Sequence, residues 1–374
     1  MSLTGSEATN EVANEMTLGL PDHINVVVIR DEPEEALGRI RAIAPGRITV
    51  TPLWHSLLDE LRAQWPPDLV DRFNRTKPTG DEPKGEALNQ VLAEAHVALG
   101  SFPFPRDLRS RMPGAQWVHW GFAGISNLRP SDFWGSDVVC TSSRGYTGAL
   151  PIAESALAGA LMHARKLDVG VRQTGTREFD AKGYEMTVVD GKTMGIIGLG
   201  GIGRHLARLA KGVGMRVVAT RRSTPARVEN TEGVDVLYPA AQFHDMLAEC
   251  DFVVVAAMWT PETEGMVDAD AFAAMRNGAY LINIARGEII DEPAMAGALA
   301  SGKLSGAYLD VYADEFNVPP PAALTSHPHV VMTPHVSQRA DVNHIFGLDN
   351  FCSNLERLLK GEEMENVINW ERGY

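Results

Sequence analysis

The sequence predicts an α/β protein made of two doubly wound parallel-sheet domains. The chain has 374 residues, which is long for one domain of ordinary size. Short apolar strand candidates alternate with helical segments along most of that length, which is typical of parallel sheets covered by helices. An alanine-rich helical segment near residue 151 interrupts the alternation, which then starts again. We therefore expect two domains.

The first domain is expected at 22–148, completed by 340–374, after a flexible N-terminal tail at 1–21. Its first strand is the β-branched run Ile24–Ile29, and a helix with Pro33 at its start follows at 34–44. Further strand candidates lie at 97–100, 117–120 and 137–141. The segment 341–360 has helical spacing and returns to this domain.

The second domain is expected at 149–339. It begins with the helical segment 151–167, and the polar, glycine-containing stretch 168–192 is predicted to be an extended surface connection. Helices fit at 201–213 and 292–301. The strands are predicted at 194–198, 215–220, 252–257, 279–284, 305–311 and 329–333.

Charge and composition exclude several classes of protein. The formal net charge is −14, from 34 basic and 48 acidic residues, and so acidic a surface repels nucleic acid. No apolar run reaches the roughly 18 residues that a membrane span needs. The cysteines, Cys140, Cys250 and Cys352, are far apart, which argues against a disulfide framework or a zinc site and favours a cytoplasmic location.

A glycine pattern follows the first predicted strand of the second domain. Gly198, Gly200 and Gly203 form G-x-G-x-x-G between an apolar strand and an amphipathic helix, and a second strand follows. In such a turn the glycines allow a tight bend, close approach of a pyrophosphate and close packing of helix on strand. The free N–H groups at the helix start then bind the anion. The pattern predicts a Rossmann-like dinucleotide site, and hence a nicotinamide-dependent dehydrogenase.

The end of the next strand bears on which dinucleotide binds. An acid about 20 residues after the glycines would bind the ribose hydroxyls of NAD. The sequence there is Thr220-Arg221-Arg222-Ser223-Thr224, which contains no acid. Guanidinium and hydroxyl groups suit the additional 2′-phosphate of NADP. We therefore expect NADP to be preferred, with NAD as the alternative.

Three polar residues follow separate predicted strands of the second domain. Arg286 comes directly after the strand near 279–284, Glu315 shortly after 305–311, and His335 after 329–333. Ligands of open α/β sheets gather at the carboxyl ends of the strands, which would bring these residues together. An arginine can hold a carboxylate in a bidentate fork, and a histidine changes charge near neutral pH and can transfer a proton.

These residues and their surroundings resemble the D-isomer-specific 2-hydroxyacid dehydrogenase family, of the glyoxylate/hydroxypyruvate reductase type. The resemblance covers roughly residues 95–374 and rests on GKTMGIIGLGGIGRHLA, on the long stretch from Thr260 to Tyr312, and on VVMTPH. It implies two Rossmann-like or flavodoxin-like domains with the active site in the cleft between them, and a homodimer. It also implies that His335 is the acid/base for a small 2-oxo or 2-hydroxy acid, that Glu315 orients it, and that Arg286 binds the substrate carboxylate.

The resemblance implies further contacts. Backbone N–H groups near Ala123 and Gly124 would share the substrate carboxylate with Arg286 and His335. Asp310 would lie near the nicotinamide carboxamide. The expected cofactor-binding set is Gly198, Gly200, Gly201, Ile202, Gly203, Arg221, Arg222, Ser223, Thr260, Pro261, Ala285, Arg286, Asp310 and His335.

The chain departs from the family's pattern at several positions. Ser126 stands where the family has an aspartate, and Ala256 and Met258 replace a usual histidine and proline. These changes affect the edge of the cofactor pocket and the substrate side chain rather than the reaction class.

Two alternatives resemble the same family. Formate dehydrogenase shares the arginine and histidine but has a glutamine where this chain has Glu315. A nucleotide-sensing corepressor can keep all three residues and bind partner proteins, but we find no long disordered interaction tail. A metal site at His327, His329 and His335 is not expected, because no acid or cysteine completes the ligand set.

Overall fold

The computed structural model describes residues 19–146, 148–177, 179–341 and 343–371, without the side chains of 343–346. Most of the predicted tail, residues 1–18, therefore lies outside the described residues. The chain divides into two compact units. Unit 1 holds the described part of Met1–Phe122 with Asn127–Ser143 and Leu348–Ile368, and unit 2 holds Ala123–Ser126, the described part of Arg144–Gly347, and Asn369–Tyr374 as far as residue 371. Both units are α/β, as predicted.

Unit 1 contains a five-stranded sheet in the order β2-β1-β3-β4-β5, and every pairing is parallel. Its elements are β1 (Ile24–Val28), α1 (Glu34–Ile43), β2 (Ile48–Pro52), α2 (Trp54–Gln64), α3 (Pro67–Asp71), α4 (Glu86–Ala93), β3 (Val97–Gly100), α5 (Leu108–Arg111), β4 (Trp117–Trp120) and β5 (Val139–Ser142).

The segment 341–360, whose spacing predicts a helix, is helical over Asn343–Lys360, and the part of the helix from Leu348 onward belongs to unit 1. Leu348, Phe351 and Leu355 pack on strand residues that include Ile24 and Trp117. The rings of Phe351 and Trp117 are stacked, with centroids 5.1 Å apart. In the described part of the chain, no helix combines the length and the apolar composition needed to cross a membrane.

Unit 2 contains an eight-stranded sheet in the order β13-β12-β11-β10-β6-β7-β9-β8, parallel except for the β8–β9 pair. Its strands are β6 (Thr193–Ile197), β7 (Arg216–Arg221), β8 (Val228–Thr231), β9 (Val234–Pro239), β10 (Phe252–Val255), β11 (Ala279–Asn283), β12 (Leu304–Leu309) and β13 (Val330–Met332). Its helices are α6 (Ala149–Ala164), α7 (Leu167–Thr176), α8 (Gly201–Gly212), α9 (Phe243–Leu247), α10 (Ala269–Ala274), α11 (Glu292–Ala300) and α12 (Ala322–Thr325), and the terminal helix Asn343–Lys360 becomes α13.

All six strands predicted in the second half of the chain are present, with ends shifted by a few residues at most. They were detectable because β6, β10 and β11 are buried along their whole length and so are continuous apolar runs. The β8–β9 hairpin was not predicted. Its strand β8 lies at the sheet edge and carries mostly exposed residues, so it has no buried pattern to recognise.

The prediction of an extended connection over 168–192 is wrong at its start, because Leu167–Thr176 is helix α7. Only Asp168 and Val169 of this helix are buried, so it lacks the apolar stripe that reveals most helices. Asp168 accepts a hydrogen bond from Arg172 one turn later at 3.0 Å. Such local pairing supports a helix without leaving a hydrophobic period in the sequence.

Candidate active site

The three predicted catalytic residues leave one edge of the unit 2 sheet. Arg286, Glu315 and His335 follow β11, β12 and β13, which are adjacent and parallel. The carboxyl ends of parallel strands share an edge, so the side chains start from the same rim. This rim is where ligands of doubly wound sheets bind.

His335 and Glu315 form a hydrogen-bonded pair. Nδ1 of His335 lies 2.7 Å from Oε1 of Glu315, and the two side chains are 24% and 10% exposed. A carboxylate can only accept a hydrogen bond, so Nδ1 carries the proton and donates it. The glutamate thereby fixes the orientation of the ring and leaves Nε2 as its other exchangeable position.

The backbone at His335 is held in a left-handed conformation, with φ at 51°. This conformation is unfavourable for a residue with a side chain, so the surroundings must impose it. Asp310 does so from the end of β12. Its carbonyl accepts the His335 N–H at 2.8 Å, and its buried carboxylate accepts from the N–H groups of Val336 at 3.0 Å and Ser337 at 3.0 Å and from the Thr333 hydroxyl.

Arg286 is held by groups from the same unit. Its Nη1 donates to the carbonyl of Ala285 at 2.6 Å and its Nε donates to the Ser126 hydroxyl at 3.1 Å. A Cβ on Gly124 would lie 2.5 Å from Nη2 of Arg286, so any larger residue there would require the Arg286 side chain to move. The segment around Ala123 and Gly124, which we expect to bind the substrate carboxylate, therefore lies next to the Arg286 guanidinium, which is expected to bind the same carboxylate.

The charge of Arg286 is surrounded by acids. Burial lowers the pKa of Arg286, and the carboxylates of Glu315, Glu288 and Asp310 oppose that effect. A guanidinium stays charged at any working pH. A half-buried cation on this rim can bind an anionic ligand.

The glycine turn has room for a ligand at one of its three positions. A Cβ on Gly198 would lie 2.9 Å from the backbone of Ala256 and Ala257, and one on Gly203 would lie 2.4 Å from the carbonyl of Gly198. Both glycines are therefore required by the packing of the protein itself. A Cβ on Gly200 would meet nothing within 4 Å, although this residue caps the N-terminus of α8. Open space at a helix N-terminus fits a dinucleotide pyrophosphate.

The predicted phosphate-binding arginine lies at the end of β7 and has a protein partner. Nη1 of Arg221 lies 2.6 Å from Oε1 of Glu232, and its Nε donates to the Thr224 hydroxyl at 3.2 Å. Arg222 and Ser223 follow it and are exposed. Glu232 was not among the predicted site residues, because it belongs to the unpredicted β8–β9 hairpin.

The remaining predicted contacts also lie in unit 2. Thr260 is buried in the loop after β10, where its N–H donates to the Thr263 hydroxyl at 2.8 Å, and Pro261 next to it is exposed. Ala285 is buried, and its N–H donates to the side chain of Asn283 at 3.0 Å. Gly201, Ile202 and Ala123 are half-buried.

The histidines that suggested a metal lie on opposite sides of β13. His327 and His329 precede this strand and His335 follows it. The described residues contain no group of three histidine, cysteine or acidic side chains placed to hold a metal ion.

The matches to known proteins agree with this architecture. Residues 157–337 match the NAD-binding domain model of the D-isomer specific 2-hydroxyacid dehydrogenases. This segment contains the glycine turn, Arg286, Glu315 and His335. It is an NAD-binding domain of that family, which confirms the resemblance stated from the sequence.

Individual relatives point the same way. A glyoxylate reductase of Thermococcus kodakarensis is 40% identical over 191 residues, covering 50% of this chain and 54% of the relative. A D-3-phosphoglycerate dehydrogenase of Mycobacterium tuberculosis is 33% identical over 323 residues, covering 84% and 56%. The chain thus spans little more than half the length of these relatives.

A solved structure covers nearly the whole chain. The NADPH-dependent glyoxylate/hydroxypyruvate reductase of Sinorhizobium meliloti, in complex with NADP and sulfate, aligns with a TM-score of 0.70 and 25% identity. The alignment covers 94% of this chain and 100% of that one. The fold of both units is therefore that of the 2-hydroxyacid dehydrogenases.

Proposed function

We propose that this protein is an oxidoreductase that transfers a hydride between NAD(P)H and a small 2-oxo acid or D-2-hydroxy acid. The observation that carries the proposal is the pairing of His335 with Glu315 on the rim that also carries Arg286. A proton donor with a fixed ring and a half-buried cation for a carboxylate are groups that suit 2-oxo acid reduction.

The chain's own residues perform the acid–base half of the reaction. In the reducing direction, His335 gives the proton on Nε2 to the oxygen of the substrate carbonyl, and in the oxidising direction it takes that proton back. Glu315 keeps Nδ1 engaged throughout. Arg286 binds the substrate carboxylate and polarises the carbonyl, and the backbone N–H groups of Ala123 and Gly124 share the carboxylate. A nicotinamide cofactor, when bound, would supply or accept the hydride.

We expect the cofactor pyrophosphate at the turn near Gly200, where a Cβ would meet nothing within 4 Å at the N-terminus of α8. We propose that NADP is preferred and that NAD is the alternative. Arg221 is the last residue of β7 and Arg222 follows it, at the place where an acid would select NAD. The Sinorhizobium meliloti reductase holds NADP. Asp310 would lie near the carboxamide, in addition to its observed role in the loop that carries His335.

A substrate screen tests the proposal. Glyoxylate, hydroxypyruvate and pyruvate are each offered with NADPH and with NADH, and oxidation of the cofactor is followed by absorbance. Turnover of at least one 2-oxo acid is the expected result. Tight cofactor binding with no turnover of any of them would instead support the corepressor-like alternative. Turnover of formate with NAD(P)⁺ would support the formate dehydrogenase alternative.

Arg221→Asp is expected to shift the cofactor preference from NADPH toward NADH. The ratio of kcat/KM for NADPH to that for NADH should fall by about tenfold to a hundredfold, because a hydrogen bond to a charged group contributes roughly 1.5–3 kcal/mol. Arg208→Asp, on the far half of α8, is the matched charge-reversal control. An unchanged ratio in the Arg221 variant would count against the phosphate-binding role.

We further propose that the protein forms a homodimer through the segment 167–188. Several large apolar side chains in this segment are exposed: Leu167, Val171, Phe179, Met186 and Val188. Leu167 and Val171 are four residues apart on α7 and so lie on one helix face. Exposed apolar residues that share one face are a feature of surfaces that another chain covers. A second copy is the occupant that the family resemblance implies.

Val171→Glu is expected to turn the dimer into a monomer, because it places a charge in the middle of the proposed apolar contact. Light scattering coupled to size-exclusion chromatography measures the mass directly. Val228→Glu, an equally drastic change at an exposed valine of β8, should leave the dimer intact. A wild-type chain that elutes as a monomer, or a Val171 variant that stays dimeric, refutes the proposed interface.

The cysteines have no role in the proposed reaction. All three are free, and burial raises the pKa of Cys140 and Cys250 to about 12 and that of Cys352 to about 11. Thiols held this far from ionisation are poor nucleophiles. They act as small packing residues, and the cytoplasmic location inferred from them stays a prediction.

A further inference from the structure

One carboxylate joins two arginines beside the glycine turn. Oε2 of Glu232 lies 2.6 Å from Nη2 of Arg204, and Oε1 of Glu232 lies 2.6 Å from Nη1 of Arg221. Arg204 directly follows Gly203 in the first turn of α8, and Arg221 is the last residue of β7. Glu232 therefore links the phosphate-binding helix to the strand end that selects the cofactor.

The backbone at this position does not favour a glutamate. Glu232 and Gly233 form the two-residue turn between β8 and β9, where Thr231 pairs with Val234. Both turn residues have positive φ, 50° and 82°. Such hairpin turns prefer asparagine, aspartate or glycine, because other side chains are strained in this conformation. The local backbone geometry therefore does not explain a glutamate at this position, whereas the contacts of its side chain with Arg204 and Arg221 do.

The carboxylate also changes the charge available to a ligand. Arg204 and Arg221 together carry two positive charges, and Glu232 reduces their sum to one. Both side chains of the Glu232–Arg221 pair are close to one-third exposed, so the pair faces solvent and can meet a ligand. A phosphate that approaches these guanidiniums is attracted by them and repelled by the carboxylate between them.

We propose that Glu232 is a cofactor-specificity residue that weakens the preference for NADP over NAD. It holds Arg204 and Arg221 together at the adenosine end of the site and opposes the binding of a 2′-phosphate, while a ribose hydroxyl in the same place meets no such repulsion. The sequence contains no acid at the end of β7, and Glu232 brings one to that place from the neighbouring hairpin. This inference rests on the proposed cofactor site at the glycine turn.

The test measures binding rather than turnover. The dissociation constants of NADP⁺ and NAD⁺ are determined by titration calorimetry for the full chain and for Glu232→Gln. We expect the variant to bind NADP⁺ about five- to tenfold more tightly and NAD⁺ within about twofold of wild type, since only the phosphate meets the removed charge. The gain should shrink as salt rises, because partly exposed charges are screened.

Two further variants make the result specific. Glu232→Asn removes the same charge with a residue that the turn favours, so it should raise the affinity for NADP⁺ even if the glutamine variant folds poorly. Glu229→Gln removes an exposed acid of the same hairpin that pairs with Arg227, at 3.1 Å, and should leave both constants unchanged.

Two contrary results of the binding experiment can be told apart, because one contradicts the role of Glu232 and the other contradicts the cofactor site. If wild type binds both cofactors and the two Glu232 variants leave the NADP⁺ to NAD⁺ ratio unchanged or lower it, the specificity role of Glu232 is wrong and the cofactor site stands. If wild type binds neither cofactor, the proposed site itself is wrong and this inference falls with it.

Discussion

His335→Ala is expected to lower kcat by about a hundredfold to ten-thousandfold with any 2-oxo acid that the protein reduces, which is the usual contribution of a positioned acid or base. The affinity for NADPH should change little, because the residue acts on the substrate oxygen. Stopped-flow turnover measures the first effect and cofactor fluorescence measures the second. Retained turnover would remove His335 as the proton donor.

Two other variants serve as controls for the His335→Ala experiment. His335→Asn tolerates the left-handed backbone at φ 51° better than alanine does and should be equally inactive, which separates lost chemistry from a disturbed loop. His327→Ala removes a histidine that lies before β13 instead of after it, and its activity should match wild type. Loss of activity in the His327 variant would show that the β13 segment responds to any change of side chain.

Arg286→Lys is expected to lower kcat/KM for the 2-oxo acid by about tenfold to a hundredfold or more, because a lysine keeps the charge but loses the bidentate fork for a carboxylate. Removing a hydrogen bond to a charged group costs roughly 1.5–3 kcal/mol, which sets this scale. Most of the loss should appear as a higher KM for the substrate. Arg286 also donates from Nε to Ser126 and from Nη1 to Ala285. A lysine has a single nitrogen and cannot make both contacts while it binds a carboxylate.

The control for this change is another arginine of unit 2. Arg276 pairs with Asp251 at 3.1 Å and is half exposed, and it lies before β11 instead of after it. Arg276→Lys should therefore leave kcat/KM unchanged. An Arg286→Lys variant that keeps wild-type KM and kcat would show that the substrate carboxylate is bound elsewhere.

Much of the fold could be predicted because buried parallel strands leave a strong signal. The strands β6, β10 and β11 consist of buried residues throughout, and each was found. Strand β8 and helix α7, which were missed or misjudged, bury few or no residues, so their conformation depends on local pairing rather than on a hydrophobic period. Strands β2 and β9 and helices α2 and α4 were not predicted either, although each buries at least two residues.

The candidate site divides in a similar way. Gly198, Gly200 and Gly203 could be recognised because they form a fixed spacing over six consecutive positions, and the packing of the strand, turn and helix requires glycine at Gly198 and Gly203. Arg286, Glu315 and His335 could be recognised because each directly or closely follows a detectable strand. Ser126 was noted as a departure from the family's pattern, but its hydrogen bond to Arg286 connects residues 160 positions apart.

The amino-acid sequence by itself determined the α/β class, the dinucleotide turn and the residue types of the proposed catalytic set, because these depend on local pattern and on strand ends. Only the tertiary structure decided how those groups are held. It revealed that Asp310 supports the left-handed backbone of His335, that Ser126 and Gly124 contact Arg286, and that Glu232 lies between Arg204 and Arg221. Side-chain contacts between distant segments follow from the packing of strands and loops in space, and sequence spacing does not encode them directly.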